Sequence, residues 1–157
     1  MKLLAIVCSE HLGNTMQLAE AMAEVAPLTI ADFKDAEKYN LTEYDAVGFA
    51  GGIYAGSHDK KLLNFVEKLE KVPPYTFVFS SSATGKYQKQ NGKLVKLLQQ
   101  KGSTVLGSFG CRALCRFFIF ALVGGVNKGK PDTEDFDAAQ NFIEQVMKNY
   151  EELKSVK

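Results

Sequence analysis

The sequence predicts an α/β protein, a doubly wound five-stranded parallel sheet with helices on both faces. Short apolar runs rich in β-branched and aromatic residues alternate with segments whose apolar residues recur at helical spacing. The runs lack the polar alternation of a half-exposed sheet, as strands covered on both faces do. Right-handed crossovers between such strands place helices on both sides. A chain of 157 residues is long enough to bury a sizeable core, and one domain over 1–157 accommodates every element.

The first strand is Leu3 to Cys8, and the first helix runs from Asn14 to Val25 with Leu18, Ala19 and Met22 on its inner face. Thr29 to Ala31 makes a short second strand. Asp32 to Tyr44 is irregular and reads as a loop or a short helix. Ala46 to Ala50 is the third strand, and Lys60 to Lys71 the second helix, whose Leu62, Leu63, Val66 and Leu69 share a face. Pro73 and Pro74 stop that helix, because neither ring nitrogen can donate to a helical bond. Thr76 to Ser80 is the fourth strand and Thr104 to Phe109 the fifth, with a helix from Asn91 to Lys101 between them. The last helix runs from Glu134 to Lys154, with Asp132 and Asp135 suiting its positive N-terminus.

Composition excludes several classes. The net charge is +1, from 19 Lys plus Arg against 18 Asp plus Glu, so nothing implies nucleic acid or an anionic membrane as partner. The longest apolar stretch, Phe117 to Val126, is far short of the roughly 20 residues a membrane span needs. No secretory leader is evident. Three cysteines form no disulfide framework, so the expected location is cytoplasmic, with reduced thiols.

In a doubly wound sheet, ligands bind beyond the carboxyl ends of the strands. The turn after the first strand, Ser9-Glu10-His11-Leu12-Gly13-Asn14-Thr15, places hydroxyls and a glycine at a helix N-terminus, where free N–H groups and partial positive charge favour a phosphate. It holds no Lys or Arg, so an anion there would be held by dipoles, with His11 as a helper. Gly51 to His58, Ser81 to Tyr87 and Gly110 to Ala113 follow the later strands. All four loops are rich in Gly, Ser or Thr, and Tyr54 and Tyr87 offer rings to a planar ligand.

Other chemistries lack their residues. Cys8 before the turn suggests a phosphatase thiolate, but no Arg follows in the loop; Asn14 stands where it would be needed. The first strand ends without the paired Asp of a magnesium-binding receiver, and neither a Walker loop nor Gly-x-Gly-x-x-Gly is present. His11 and His58 read as surface residues with no metal-binding company. Cys111 and Cys115, four apart, could share a helix face; they are read as inert thiols, and Arg112 and Arg116 as solvated charges.

Three segments resemble flavodoxin-like proteins: Ile6 to Thr15 with Leu18, Ala19 and Ala21; Gly48 to Gly56; and Phe77 to Gly85. The resemblance implies a strand order of 2-1-3-4-5 and a flavin mononucleotide (FMN) cofactor. It implies phosphate contacts from Ser9, Asn14 and Thr15 with the backbone of His11, Leu12 and Gly13. Gly52, Ile53, Tyr54, Ala55 and Gly56 would face the ring's N5 edge, Tyr54 stacking and Gly56, or alternatively Gly52, permitting a peptide flip. Ser81, Ser82, Ala83, Thr84 and Gly85 would meet the pyrimidine edge.

The implied function is electron transfer, the flavin cycling between oxidised, semiquinone and reduced states. Its partner would be a redox protein or a small-molecule donor or acceptor. The alternatives are a small NAD(P)H-dependent FMN reductase or quinone-type oxidoreductase, or a non-catalytic binding module. Relative to short-chain carriers, the first turn is one residue longer, Trp is absent, and the chain is not acidic. Lys60 and Lys61 would make the field near the ring positive. Phe117 to Phe120 reads as a helix or loop packed on the core, with an apolar surface for a homodimer or a lid as the alternative.

Overall fold

A computed structural model describes residues 1–10, 13–115, 122 and 124–157. Five strands lie parallel in the order β2-β1-β3-β5-β6: β1 Leu3–Cys8, β2 Leu28–Asp32, β3 Ala46–Tyr54, β5 Tyr75–Ser82 and β6 Thr104–Arg112. These are the five expected strands in the expected order. A sixth, β4 Ser57–His58, folds back antiparallel on β3. The helices are α1 Asn14–Ala23, α2 Lys60–Lys68, α3 Tyr87–Gln90, α4 Gly92–Gln100 and α5 Thr133–Ser155.

The sheet is sandwiched between two apolar layers. β1 is buried along its whole length. Its successive side chains face opposite sides: Leu3, Ala5 and Val7 pack with α1 and α5, while Leu4, Ile6 and Cys8 pack with α2 and α4. Phe77 and Phe79 fill the first layer beside Ile143; Phe49, Leu62, Leu94 and Leu98 fill the second. All seven of these side chains are fully buried, each stabilising the fold by roughly 1.5–3 kcal/mol relative to exposure.

Several strands and helices differ in length from the sequence reading. β3 continues past Ala50 through Gly51 and Gly52 to Tyr54, because β4 returns beside it and pairs Ile53 with His58 and Tyr54 with Ser57. Glycine has weak strand propensity, so pattern alone ended the strand early. The irregular stretch after β2 holds two short 3₁₀ helices, Phe33–Lys38 and Leu41–Glu43. Their starts are fixed by Asp32 and Asn40 side chains, which accept from the N–H groups of Lys34 and Thr42. α2 stops at Lys68, where Leu69 turns to extended geometry and packs on the core.

Cys111 and Cys115 do not share a helix face. Cys111 is buried in β6, and Cys115 forms an isolated antiparallel bridge with Val126. Arg116, expected as a solvated charge, and Phe117 to Phe120, expected as a core-packed segment or alternatively a lid or dimer contact, lie outside the described residues. Among the described residues no helix is long and apolar enough to cross a membrane.

Candidate functional site

The carboxyl ends of β1, β3, β5 and β6 open onto a single cleft of about 470 Å³. That volume falls within the roughly 300–1,000 Å³ range of small-molecule sites. Ser9 and Glu10 with Asn14 and Thr15 of α1 form its base. Gly52, Ile53 and Tyr54 form one wall. Ser81, Ser82 and Ala83, with Ala113, Leu114 and Cys115 beyond β6, form the other.

The base is built for an anion. α1 begins at Gly13, whose φ of 64° lies in the left-handed region that glycine enters at little cost. No side chain caps α1, and its first turn holds no acidic residue. α2 and α5 begin instead on Asp59 and Asp132, whose carboxylates accept from backbone N–H groups, while α4 shares the lack of a side-chain cap. Among the described residues, the first N–H groups of α1 therefore lack the side-chain cap that α2 and α5 carry. Thr15 and Ser81 are buried with hydroxyl oxygens 2.7 Å apart, fixing the start of α1 to the end of β5. Asn14 Nδ2 donates to the Leu114 carbonyl at 2.9 Å, tying the base to the far wall.

The near wall is a β-hairpin. Ala55 and Gly56 at its tip both have positive φ, 50° and 81°, the pattern of a type I′ turn. The Tyr54 ring folds back over the strand: a Cβ placed on Gly52 would lie 3.3 Å from the tyrosine hydroxyl oxygen. Partial burial, with Glu10 and Asp59 nearby, raises the Tyr54 pKa above that of free tyrosine.

Beneath the hairpin lies a buried polar link. His58 is 2% exposed and Asn91 fully buried. His58 Nε2 and Asn91 Oδ1 are 2.8 Å apart, and Asn91 Nδ2 donates to Ser108 Oγ and the Phe109 carbonyl, each at 3.0 Å. The amide oxygen only accepts, so Nε2 carries the proton and Nδ1 is the unprotonated nitrogen. Nδ1 has no hydrogen-bond partner among the described residues. Burial pushes the His58 pKa down to about 4, against the raising effect of the Asn91 bond. This histidine is a neutral core residue and not the surface residue its sequence context suggested.

The far wall is held differently. Asn127 Nδ2 donates to the carbonyls of Ala83 at 2.7 Å and Ala113 at 3.1 Å. Ser82 Oγ accepts from the Gly85 N–H and donates to Gln90 Oε1. Thr84 Oγ1 accepts from Gln90 Nε2, and the Thr84 carbonyl accepts from Arg112 Nε.

Of the expected cofactor contacts, Ser9, Asn14, Thr15, Gly52, Ile53, Tyr54, Ser81, Ser82 and Ala83 line the cleft. Gly13, Ala55, Gly56, Thr84 and Gly85 lie outside that lining; His11 and Leu12 lie outside the described residues. Glu10, Ala113, Leu114 and Cys115 also line it, although none was expected as a cofactor contact. Their one sequence signal is position, directly after β1 and β6. Lys61 pairs with Glu10, so the positive field expected from Lys61 meets a carboxylate at the cleft rim.

The thiols of Cys8 and Cys111 are pushed up to about 11 and about 12, chiefly by burial, so neither is a thiolate nucleophile at neutral pH. Among the described residues no group of His, Cys, Asp and Glu could hold a metal ion.

A parallel sheet whose strand ends close around an uncapped helix start defines a class of nucleotide-binding α/β proteins. The family model for the flavodoxin domain matches residues 5–113, and the chain belongs to that family. It is 33% identical over 158 aligned positions to an uncharacterized protein of Methanocaldococcus jannaschii, covering 95% of this chain and 100% of that one. The fold is similar to oxidised flavodoxin 1 from Bacillus cereus, with TM-score 0.65 and 16% identity over 94% of this chain and 98% of that one. It is also similar to Fusobacterium nucleatum flavodoxin bound to flavin mononucleotide, with TM-score 0.66 and 11% identity over 94% of this chain and 98% of that one.

Proposed function

We propose that this chain binds FMN in the cleft and acts as an electron-transfer protein with a redox partner. The observation that carries the reading is the uncapped start of α1, which meets the hydroxyls of Ser9 and Thr15 and the two glycine- and serine-bearing walls in one cleft. The residues fit the group. A phosphate is accepted by N–H dipoles and neutral donors, and a planar ring fits between the Tyr54 wall and the Ala83 wall. Bound flavin supplies reversible electron chemistry.

The chain's own residues do the rest. Thr15, held by Ser81, orients its hydroxyl at the helix start. Tyr54 shields one side of the cleft from water. The hairpin tip offers backbone groups to a ring edge, with Gly56 free to turn.

The test is the visible spectrum of the purified protein before and after adding FMN, followed by desalting. Retained flavin bands with quenched fluorescence support the reading; no retention after reconstitution overturns it. Thr15→Val should weaken FMN binding by roughly 1–3 kcal/mol, the worth of a hydrogen bond to a charged group. Unchanged affinity removes Thr15 from the site.

A further inference from the structure

Charge is distributed unevenly along this nearly neutral chain. Residues 59–101 carry nine Lys against three Asp or Glu, whereas the rest carries ten Lys or Arg against fifteen acidic residues. The basic segment contains α2, α3 and α4, and α2 and α4 pack side by side on one face of the sheet. Between them runs a groove of about 450 Å³, with Lys60, Lys93 and Lys96 on its sides, Leu63 and Leu97 at its base and Glu67 as its one acidic residue. These three lysines are exposed and form no ion pair among the described residues. Lys101 is already engaged, donating to the Glu67 carbonyl.

The groove adjoins the cleft. Lys60 opens α2 immediately after the hairpin, and its neighbour Lys61 pairs with Glu10 on the cleft lining. α5, on the opposite face, carries Glu134, Asp135, Asp137, Glu144, Glu151 and Glu152. The charge asymmetry therefore gives the molecule a dipole directed from an acidic back to a basic face beside the cleft.

We propose that the α2–α4 face is the docking surface for an acidic redox protein, which it brings to the rim of the cleft. The inference rests on the electron-transfer reading above. Carboxylates on a folded partner suit this face because its cations are all lysines, point charges on flexible stems. Nucleic-acid phosphates are matched better by arginine forks and stacking aromatics, and residues 59–101 contain no arginine. The apolar base of Leu63 and Leu97 gives the partner a small dry contact inside a charged rim, the usual anatomy of a transient interface. Rim charges of this kind govern the association rate and its salt dependence more than the final affinity.

The probe is a small acidic iron–sulfur electron carrier, titrated into the isotope-labelled, FMN-reconstituted protein and followed by amide shifts. Retained flavin is checked first by absorbance. The expected result is shifts confined to α2, α4 and the cleft rim, and binding that weakens steeply with added NaCl. Lys93→Glu should weaken binding by about fivefold or more. Lys148→Glu on α5, an identical charge change, should alter it less than about twofold.

Equal effects of the two substitutions, or flavin retained with no salt-sensitive binding, overturn the docking surface and leave the electron-transfer reading standing. Tighter binding to a single-stranded oligonucleotide or to phosphatidylserine vesicles also overturns it. If no flavin is retained, the electron-transfer reading falls and the redox role falls with it. The shifts and the Lys93→Glu effect then decide whether the face takes acidic protein at all.

Discussion

The two walls of the cleft are held up by different physics. The near wall, β3 to β4, rests on a buried histidine and a buried asparagine that reach across to β6. The far wall is held by partly buried or exposed bonds, among them those of Asn127, whose amide gathers two carbonyls at the mouth of the cleft. A hydrogen bond sealed from water cannot be replaced by water when it breaks; one at the rim can. The near wall should therefore be the firmer support and the costlier to damage, even though its tip at Ala55 and Gly56 is exposed.

The largest expected effect follows from that asymmetry. Asn91→Ala removes the acceptor of the buried His58 N–H and the donors to Ser108 and Phe109. It should destabilise the fold by roughly 4 kcal/mol in urea unfolding, the range for breaking a buried polar network. A loss under about 1 kcal/mol would mean that water enters beneath the hairpin and that the two walls are alike.

Acid should attack the same wall. The folded pKa of His58, about 4, lies below its ordinary 6.5, so the unfolded chain binds the extra proton between those values. The stability contribution is fully present above pH 6.5, falls as the pH drops through that window, and levels off below about 4. The loss should be on the order of 3 kcal/mol. Comparison with His58→Gln isolates it from the carboxylates that titrate nearby; identical pH profiles would show that His58 is not held neutral.

The far wall should respond less. Asn127 sits at φ 57°, a left-handed conformation that glycine adopts freely, so Asn127→Gly removes the amide without adding backbone strain. The expected loss is about 1–2 kcal/mol from two rim hydrogen bonds, read in urea unfolding. A cost equal to that of Asn91→Ala would abolish the distinction between the walls.

The same distinction explains what the sequence disclosed. The parallel strands and the larger helices were legible because each is a run of local chemistry: apolar strands, i,i+3/i+4 faces, Pro73-Pro74 as a stop, Asp132 with Asp135 as a cap; the strand order came from the family resemblance alone. The residues at the base and along the upper strands were legible because they directly follow strand ends. The supports were not. His58 and Asn91 are 33 residues apart, and Asn127 lies 44 residues from Ala83, with no periodicity to join them. Polar residues acquire meaning only when the fold buries them. A histidine among glycines and serines therefore read as surface, and Asn91 as the first residue of a helix. β4 stayed hidden because a two-residue strand has no pattern of its own.

The smallest expected effect lies at the tip of the firm wall and has the opposite sign. Ala55 occupies the first central position of the hairpin turn with φ 50°, where its Cβ is disfavoured. Asparagine tolerates that region and, before Gly56, completes the Asn-Gly pair preferred in type I′ turns. Ala55→Asn should therefore stabilise the protein by about 0.5–1 kcal/mol, seen as a raised urea midpoint with an unchanged slope. The gain matters for the cleft as well. If Gly56 must turn over for the flavin to change state, a stiffer tip should shift the redox potentials of the reconstituted protein while leaving FMN affinity nearly unchanged. A stabilised hairpin with unaltered potentials would place the moving element elsewhere than at this turn.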